Sequence, residues 1–272
     1  MVGIAILCAV LGAVCSAVGA AMQHAGVREV GDLTLRRAHR LPGNRRWLTG
    51  FSILFVAAIL QVLAWTFAPV TVVAPIAVLS LPIITVIDFG RFTPKLAGAV
   101  FTATLGVAVF VWIAAGSAVP TDVPTNVALQ ASQLVAAAVC VFGVIATFQS
   151  GTIRCLAFAV GAGAAYGLVA VLVRDVTTSL PSIAWSSLAG VVVAFLIGAW
   201  FIQLGYTAGA ADLVVAGQTV TNPIVASWIG MVLLDETQGA GAWTEVALVT
   251  SAVVAVTGII ALAQFHRSRV VT

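Results

Sequence analysis

Apolar residues fill long stretches of the chain, and polar residues gather in short clusters between them. A helix crosses the hydrocarbon core of a bilayer in about 20 residues, each rising about 1.5 Å. By that measure the pattern predicts about nine spans, near 2–23, 47–67, 70–88, 95–116, 126–148, 153–174, 183–204, 211–234 and 243–265. The gaps between them are too short for a soluble domain, so 1–272 reads as a single transmembrane domain, all-α and polytopic. No basic residue precedes the first apolar run, and equally apolar segments follow it, which predicts an uncleaved span.

One span breaks the pattern. Gln218-Thr219-Val220-Thr221-Asn222-Pro223 lies in the middle of the 211–234 run. Lipid offers such side chains no partners, so they are expected to face other helices or a wet cavity. Pro223 has no N–H to donate, which frees a carbonyl near Thr219. Polar side chains with loosened backbone near the midplane suit a transporter binding site. The same residue types also glue membrane helices together, and both readings stand at this point.

The pattern also repeats. Gly12-Ala13-Val14-Cys15-Ser16-Ala17-Val18 resembles Gly163-Ala164-Ala165-Tyr166-Gly167-Leu168-Val169 at an offset of 151, with Gln23 opposite Arg174. Leu48-Thr49-Gly50 parallels Leu188-Ala189-Gly190, Gln61 parallels Gln203, Ala68 parallels Ala210, and Val73-Ala74 parallels Val215-Ala216, at offsets of 140 to 142. The copies are 1–116 and 153–265, joined by a linking helix at 126–148. They start an odd number of spans apart, so the second is inverted relative to the first, as in secondary transporters.

Charge sets an expected orientation. The 24–46 loop holds Arg28, Arg36, Arg37, Arg40, Arg45 and Arg46; Arg91, Lys95, Arg154, Arg267 and Arg269 fall on the same side. The other side has Arg174, beside Asp122, Asp175, Asp235, Glu236 and Glu245. Basic loops stay in the cytoplasm, which puts the N-terminus outside and the C-terminus inside a bacterial cytoplasmic membrane. The first loop either forms an interfacial helix, with Val27, Val30, Leu33 and Leu41 toward lipid, or serves only to fix topology.

Composition agrees. The chain has 272 residues, 61% hydrophobic and 8% charged, with a mean hydropathy of +1.15. A soluble core cannot absorb that much apolar surface. Cys8, Cys15, Cys140 and Cys155 lie in or beside apolar runs at no metal-binding spacing and read as free thiols. A P-loop, a Ser-His-Asp set and a histidine-rich motif are all lacking, and His24, His39 and His266 sit in or beside basic segments. An enzyme, a cofactor, a metal centre and a nucleic-acid partner are therefore not expected.

Individual polar residues carry paired readings. Asp212 opens the 211–234 span, where it suits either a helix cap or a contact to a cation or substrate. Thr71 holds the matching place in the first copy. Arg174 suits an anionic substrate group, a pair with Asp175, or the interface. Gln61, Gln203, Trp65 and Tyr166 suit packing or anchoring as well as ligand contact.

The chain resembles the drug/metabolite transporter superfamily, in its EamA-like and NIPA-like branches. Gly163-Ala-Ala-Tyr-Gly-Leu-Val-Ala-Val-Leu-Val-Arg174 is similar to the family segment G-x-x-[FY]-G-L-x-A-x-L-x-K. Ala208-Gly209-Ala210 and the run to Leu234-Asp235-Glu236 are similar to its second conserved segment. Trp47 to Pro82, with Phe67-Ala68-Pro69 and Val73-Ala74-Pro75, resembles the first-half copy. Arg174 replaces the family lysine, Asp235 replaces the glycine before the final acid, and the usual tenth span is missing.

The resemblance implies an inverted-repeat carrier of a small metabolite or amphipathic compound, working by alternating access between spans one, three, six and eight. Gln218, Thr219, Thr221, Asn222, Arg174, Tyr166, Gln61, Trp65 and Asp212 are the expected substrate-binding residues, with Pro75, Pro82 and Pro223 as hinges. Three alternatives accompany it: a flippase for a lipid-linked sugar or polyprenyl phosphate, a NIPA-like magnesium transporter, and a non-transporting scaffold subunit. Membrane lipids and a second copy of the chain are the expected neighbours.

Overall fold

The computed structural model describes residues 2–31, 33, 35–67, 76–89, 93–117, 124–178, 185–234 and 241–270. Its regular structure is helical, without a strand among the described residues. In order come α1 (Val2–Val30), a 3-10 segment (Leu35–Gly43), α2 (Arg45–Phe67), α3 (Ser80–Phe89), α4 (Pro94–Ser117), α5 (Thr125–Phe148), α6 (Gly151–Thr178), α7 (Trp185–Ala208), α8 (Ala211–Trp228) with a π-turn (Ile229–Leu233), and α9 (Ala242–Val270).

Among the described residues, seven helices are long and apolar enough to cross a membrane: α1, α2, α4, α5, α6, α7 and α9. Their outer surfaces are apolar; α2 turns Leu48, Phe51, Phe55, Ile59 and Val62 outward, one stripe at helical spacing. The chain is a multi-pass helical membrane protein.

The expected count of about nine narrows at two places, for different reasons. The 70–88 span is broken. Pro82 has no N–H for the carbonyl of Val78, which instead accepts from Leu81 at 3.0 Å, and a turn interrupts the helix at Val78–Leu79. Only the ten-residue α3 follows, and 70–75 lie outside the described residues. The 211–234 run forms the 18-residue α8, whose Gln218, Thr219, Thr221 and Asn222 dilute its hydropathy. It tolerates them because it is central: Ala211 through Gly217 are all buried, and α1, α3, α4, α6, α7 and α9 all touch it.

The 24–46 segment also differs from expectation. α1 continues to Val30 and stops at Gly31, whose φ of 77° reverses the backbone in the left-handed region. His24 and Arg28 are therefore helical. Val27, Leu33 and Leu41 are 0%, 8% and 4% exposed and join the core, so they do not face lipid. Asn44 caps α2, its Oδ1 accepting the Trp47 N–H at 2.9 Å. Arg46 pairs with Glu29 at 2.8 Å on the surface.

Small residues set the helix directions. Gly12, Gly19 and Gly26 of α1 approach Leu60, Leu54 and Trp47 of α2 in reverse order, so the pair is antiparallel. Ala159, Gly163 and Gly167 of α6 meet Gly217, Thr221 and Val225 of α8 in the same order, so that pair is parallel. α4 and α9 cross where Ala103 and Gly106 face Gly258 and Ala255, backbone against backbone. Arg28, Arg45, Arg46, Lys95 and Arg154 thereby fall at one end of the bundle and Arg174 at the other. Trp112, Trp185 and Trp243 ring the Arg174 end, each well exposed.

Candidate functional site

Polar chemistry concentrates at three levels along the bundle. At mid-height, α6 and α8 pack so closely that a Cβ on Gly163 would lie 2.6 Å from Thr221 Cβ, and one on Gly167 would lie 2.9 Å from the Asn222 carbonyl oxygen. Gln218, Thr219, Thr221 and Asn222 are half-buried there. α8 passes through Pro223 without a break, and its geometry changes only at the π-turn beyond Trp228.

Toward the Arg174 end lies a cavity of about 250 Å³ between α4, α6, α8 and α9. Ala114, Ala170, Val171, Met231, Leu234 and Leu248 make its wall largely apolar, with Ser117, Ser227 and Arg174 as polar points. It forms where α4 and α6 present alanine and where the π-turn carries Gly230. Half-buried Arg174 is the group there that can hold an anion. Next to it in sequence, Asp175 accepts a hydrogen bond from Ser187 of α7.

At the arginine-rich end large and polar side chains of the described helices meet. Trp47 Nε1 donates to Gln203 Oε1 at 2.9 Å, and Gln203 Nε2 donates to Gln23 Oε1 at 3.0 Å, tying α2, α7 and α1 together. The His24 ring lies 5.6 Å from that of Tyr206. The backbone N–H of Asp212 donates to Asp88 Oδ2 at 3.2 Å, so the last turn of α3 caps the start of α8. Asp212 itself is fully buried, its Oδ1 accepting the Leu213 N–H at 2.8 Å. Buried Cys155 of α6 lies beneath the Ala210 carbonyl.

The expected binding residues thus disperse over several places. Arg174 lines the cavity. Gln218, Thr221 and Asn222 lie deeper, at the α6–α8 seam, and Thr219 is half-buried on the same helix. Tyr166 turns to α7, where its ring meets Gly198 and Phe195. Gln61 packs beside Gly12, on a helix that packs chiefly against α1. Asp212 belongs to the arginine-rich end, and Ala210 takes the cap position expected of it. The side chain of Trp65 and all of Thr71 and Pro75 lie outside the described residues.

Sequence reasoning missed the assembly of Asp88, His24, Gln23 and Gln203. Its partners are far apart in the chain, so spacing carries no trace of it. One signal was present: the residues after His24 stay small and apolar as far as Val27, which lets α1 continue inside the bundle. No protein-family model, curated protein or solved structure matches the chain.

Proposed function

We propose that the chain is a secondary transporter of the drug/metabolite transporter type, carrying a small amphipathic compound with an acidic group by alternating access. One observation carries this reading: a cavity with apolar walls and an arginine lies at one end of the bundle, while at the other end large side chains joined by hydrogen bonds meet between the described helices. A carrier caught facing one way has that form.

An inverted repeat is supported by the pairing of the helices. α1 pairs with α2 as α6 pairs with α7, and α1 meets α3 as α6 meets α8. α3 touches α4 as α8 touches α9, while α4 meets α9 and α3 meets α8 across the halves. Pro82 and Pro223 stand 141 residues apart, inside the range of the sequence offsets. The facing Ala103-x-x-Gly106 and Ala255-x-x-Gly258 share an offset of 152. Pro82, with its helix break, is the better hinge of the two. The arginine-rich end is cytoplasmic on this reading, by the positive-inside bias, and the cavity faces outward.

A flippase for a lipid-linked phosphate is the second reading, favoured by the same apolar walls around one guanidinium. Magnesium suits the cavity poorly, because its charged residue is a cation. The test is reconstitution of the full chain in proteoliposomes, with uptake measured for labelled amphipathic carboxylates and sulfonates and, separately, for a fluorescent polyprenyl phosphate. Saturable uptake of the first set supports the carrier; movement of the lipid alone selects the flippase. No flux of either, with a stoichiometric protein partner co-purifying, would leave the scaffold reading.

A further inference from the structure

We propose that the cavity at the Arg174 end selects an anion that also carries a hydrogen-bond donor, a hydroxyl or an ammonium group, and that Ser117 reads that donor. This deepens the carrier reading and rests on its anion at Arg174. The cavity holds about 250 Å³. That is at the small end for ligand pockets, which run to about 300–1,000 Å³. One small molecule fills such a space, so the occupant that meets Arg174 also meets the other walls.

Those walls offer few polar groups, and each has a definite sense. The Arg174 guanidinium has only N–H donors and no acceptor. Ser117 is the reverse. Its Oγ lies 2.8 Å from the Ile113 carbonyl oxygen and 3.4 Å from that of Ala114. Carbonyl oxygens only accept, so the hydroxyl proton is already given to the backbone of its own helix. What Ser117 turns to any other group is a lone pair. Swinging the proton toward an anion would break the 2.8 Å bond. Ser227 on α8 carries a hydroxyl that can give or take. An occupant with acceptors alone satisfies Arg174 and sets oxygen against oxygen at Ser117.

The backbone adds a second, independent observation. α4 ends at Ser117, and the π-turn after α8 ends at Leu233. Ser117 and Leu234 both line the cavity. A helix turns the negative end of its dipole, and its last unpaired carbonyls, to its C-terminus. Two such ends at one cavity favour a donor on the occupant, and a positively charged donor more strongly. Among the described lining residues the one charge is that of Arg174, so the anion belongs there. The acceptors at the ends of α4 and α8 are left for the donor. Ala114, Ala170, Met231 and Leu248 take the apolar remainder.

The test is isothermal titration calorimetry on the full chain in lipid nanodiscs, with empty nanodiscs as the blank for partitioning. The probes share one skeleton: isocaproate, its α-hydroxy derivative and leucine. A donor-bearing probe should bind at least about fivefold tighter than isocaproate, the weight of an acceptor left unpaired. Preference for either donor-bearing probe supports the site, and leucine ahead of the hydroxy acid shows that the donor is charged. Ser117→Ala should remove the preference, and Arg174→Gln should weaken all three. Equal affinities in the wild type, or no binding of any probe, overturn the proposal. So does a preference unchanged in Ser117→Ala, or binding that survives Arg174→Gln, because the occupant would then lie elsewhere. If a variant does not fold, the wild-type comparison alone decides. Selective binding without flux in proteoliposomes would count against the carrier reading and leave the site standing.

Discussion

The two ends of this bundle are built from similar residues and behave differently. Each has buried polar groups and an arginine, yet large side chains meet at one end and the other holds a cavity. The difference lies in side-chain size at the contacts. At the arginine-rich end Trp47, Tyr206, His24 and two glutamines meet between helices; hydrogen bonds join Trp47 and the glutamines, and the His24 and Tyr206 rings pack together. At the Arg174 end α4, α6 and α8 present alanine and serine, and the π-turn after α8 carries Gly230. A membrane protein in lipid gains little from burying more apolar surface, so packing and polar pairing decide how closely the helices meet at each end.

The contrast can be broken most strongly at Gln203. Gln203→Ala leaves Trp47 Nε1 and Gln23 Oε1 without partners, at about 1–3 kcal/mol for each unsatisfied group, so a loss of roughly 2–6 kcal/mol is expected. Thermal unfolding in detergent micelles checks this, and an unchanged midpoint would mean that the arginine-rich end is not held by those bonds.

Gly209→Val comes next. Its Cβ would sit 2.7 Å from both Cβ and Sγ of Cys155, and overpacking of this kind costs about 1–3 kcal/mol. The same unfolding measurement reads it.

Arg174→Gln sharpens the comparison from the other side. It should lower flux of an amphipathic anion about tenfold, equivalent to about 1.4 kcal/mol. Equal flux in the two proteins would remove Arg174 from the substrate path. Asn222→Ala and Gln218→Ala should lower flux by a smaller factor without reducing folded yield, and unaltered flux in both would assign that motif to packing alone.

The smallest effect is expected at Gly116. Nothing lies within 4 Å of a Cβ built there, so Gly116→Ala should be neutral or gain about 0.5–1 kcal/mol from helix propensity. A large loss would show that the Arg174 end is more crowded than its geometry indicates.

Much of the fold was legible in the sequence because bilayer thickness imposes one length on every spanning helix. Spans at 47–67, 95–116, 126–148 and 243–265 each fall on a helix whose bounds lie close by. The unusual character of 211–234 was legible too, since Gln218 to Asn222 stand out against valine and leucine. What stayed hidden were facts of pairing. Asp88, Gln203 and His24 each sit toward a helix end, where a polar residue ordinarily means only the edge of the membrane. Their meeting depends on how α1, α3, α7 and α8 lean together. The cavity was hidden for the opposite reason: it is defined by what Ala114, Ala170 and Gly230 lack.

The aromatic rim has one more consequence. Trp112 and Trp243 stand on the same helices as Ala114 and Leu248, which border the cavity, and indole rings settle in the headgroup layer. The rings therefore set this end of the cavity-bordering helices level with the lipid headgroups. On the carrier reading proposed above, a greasy acid dissolved in that leaflet is already concentrated at the right depth before it meets the protein. Half-saturation, expressed per litre of water, should then fall in step with each compound's partitioning into the bilayer.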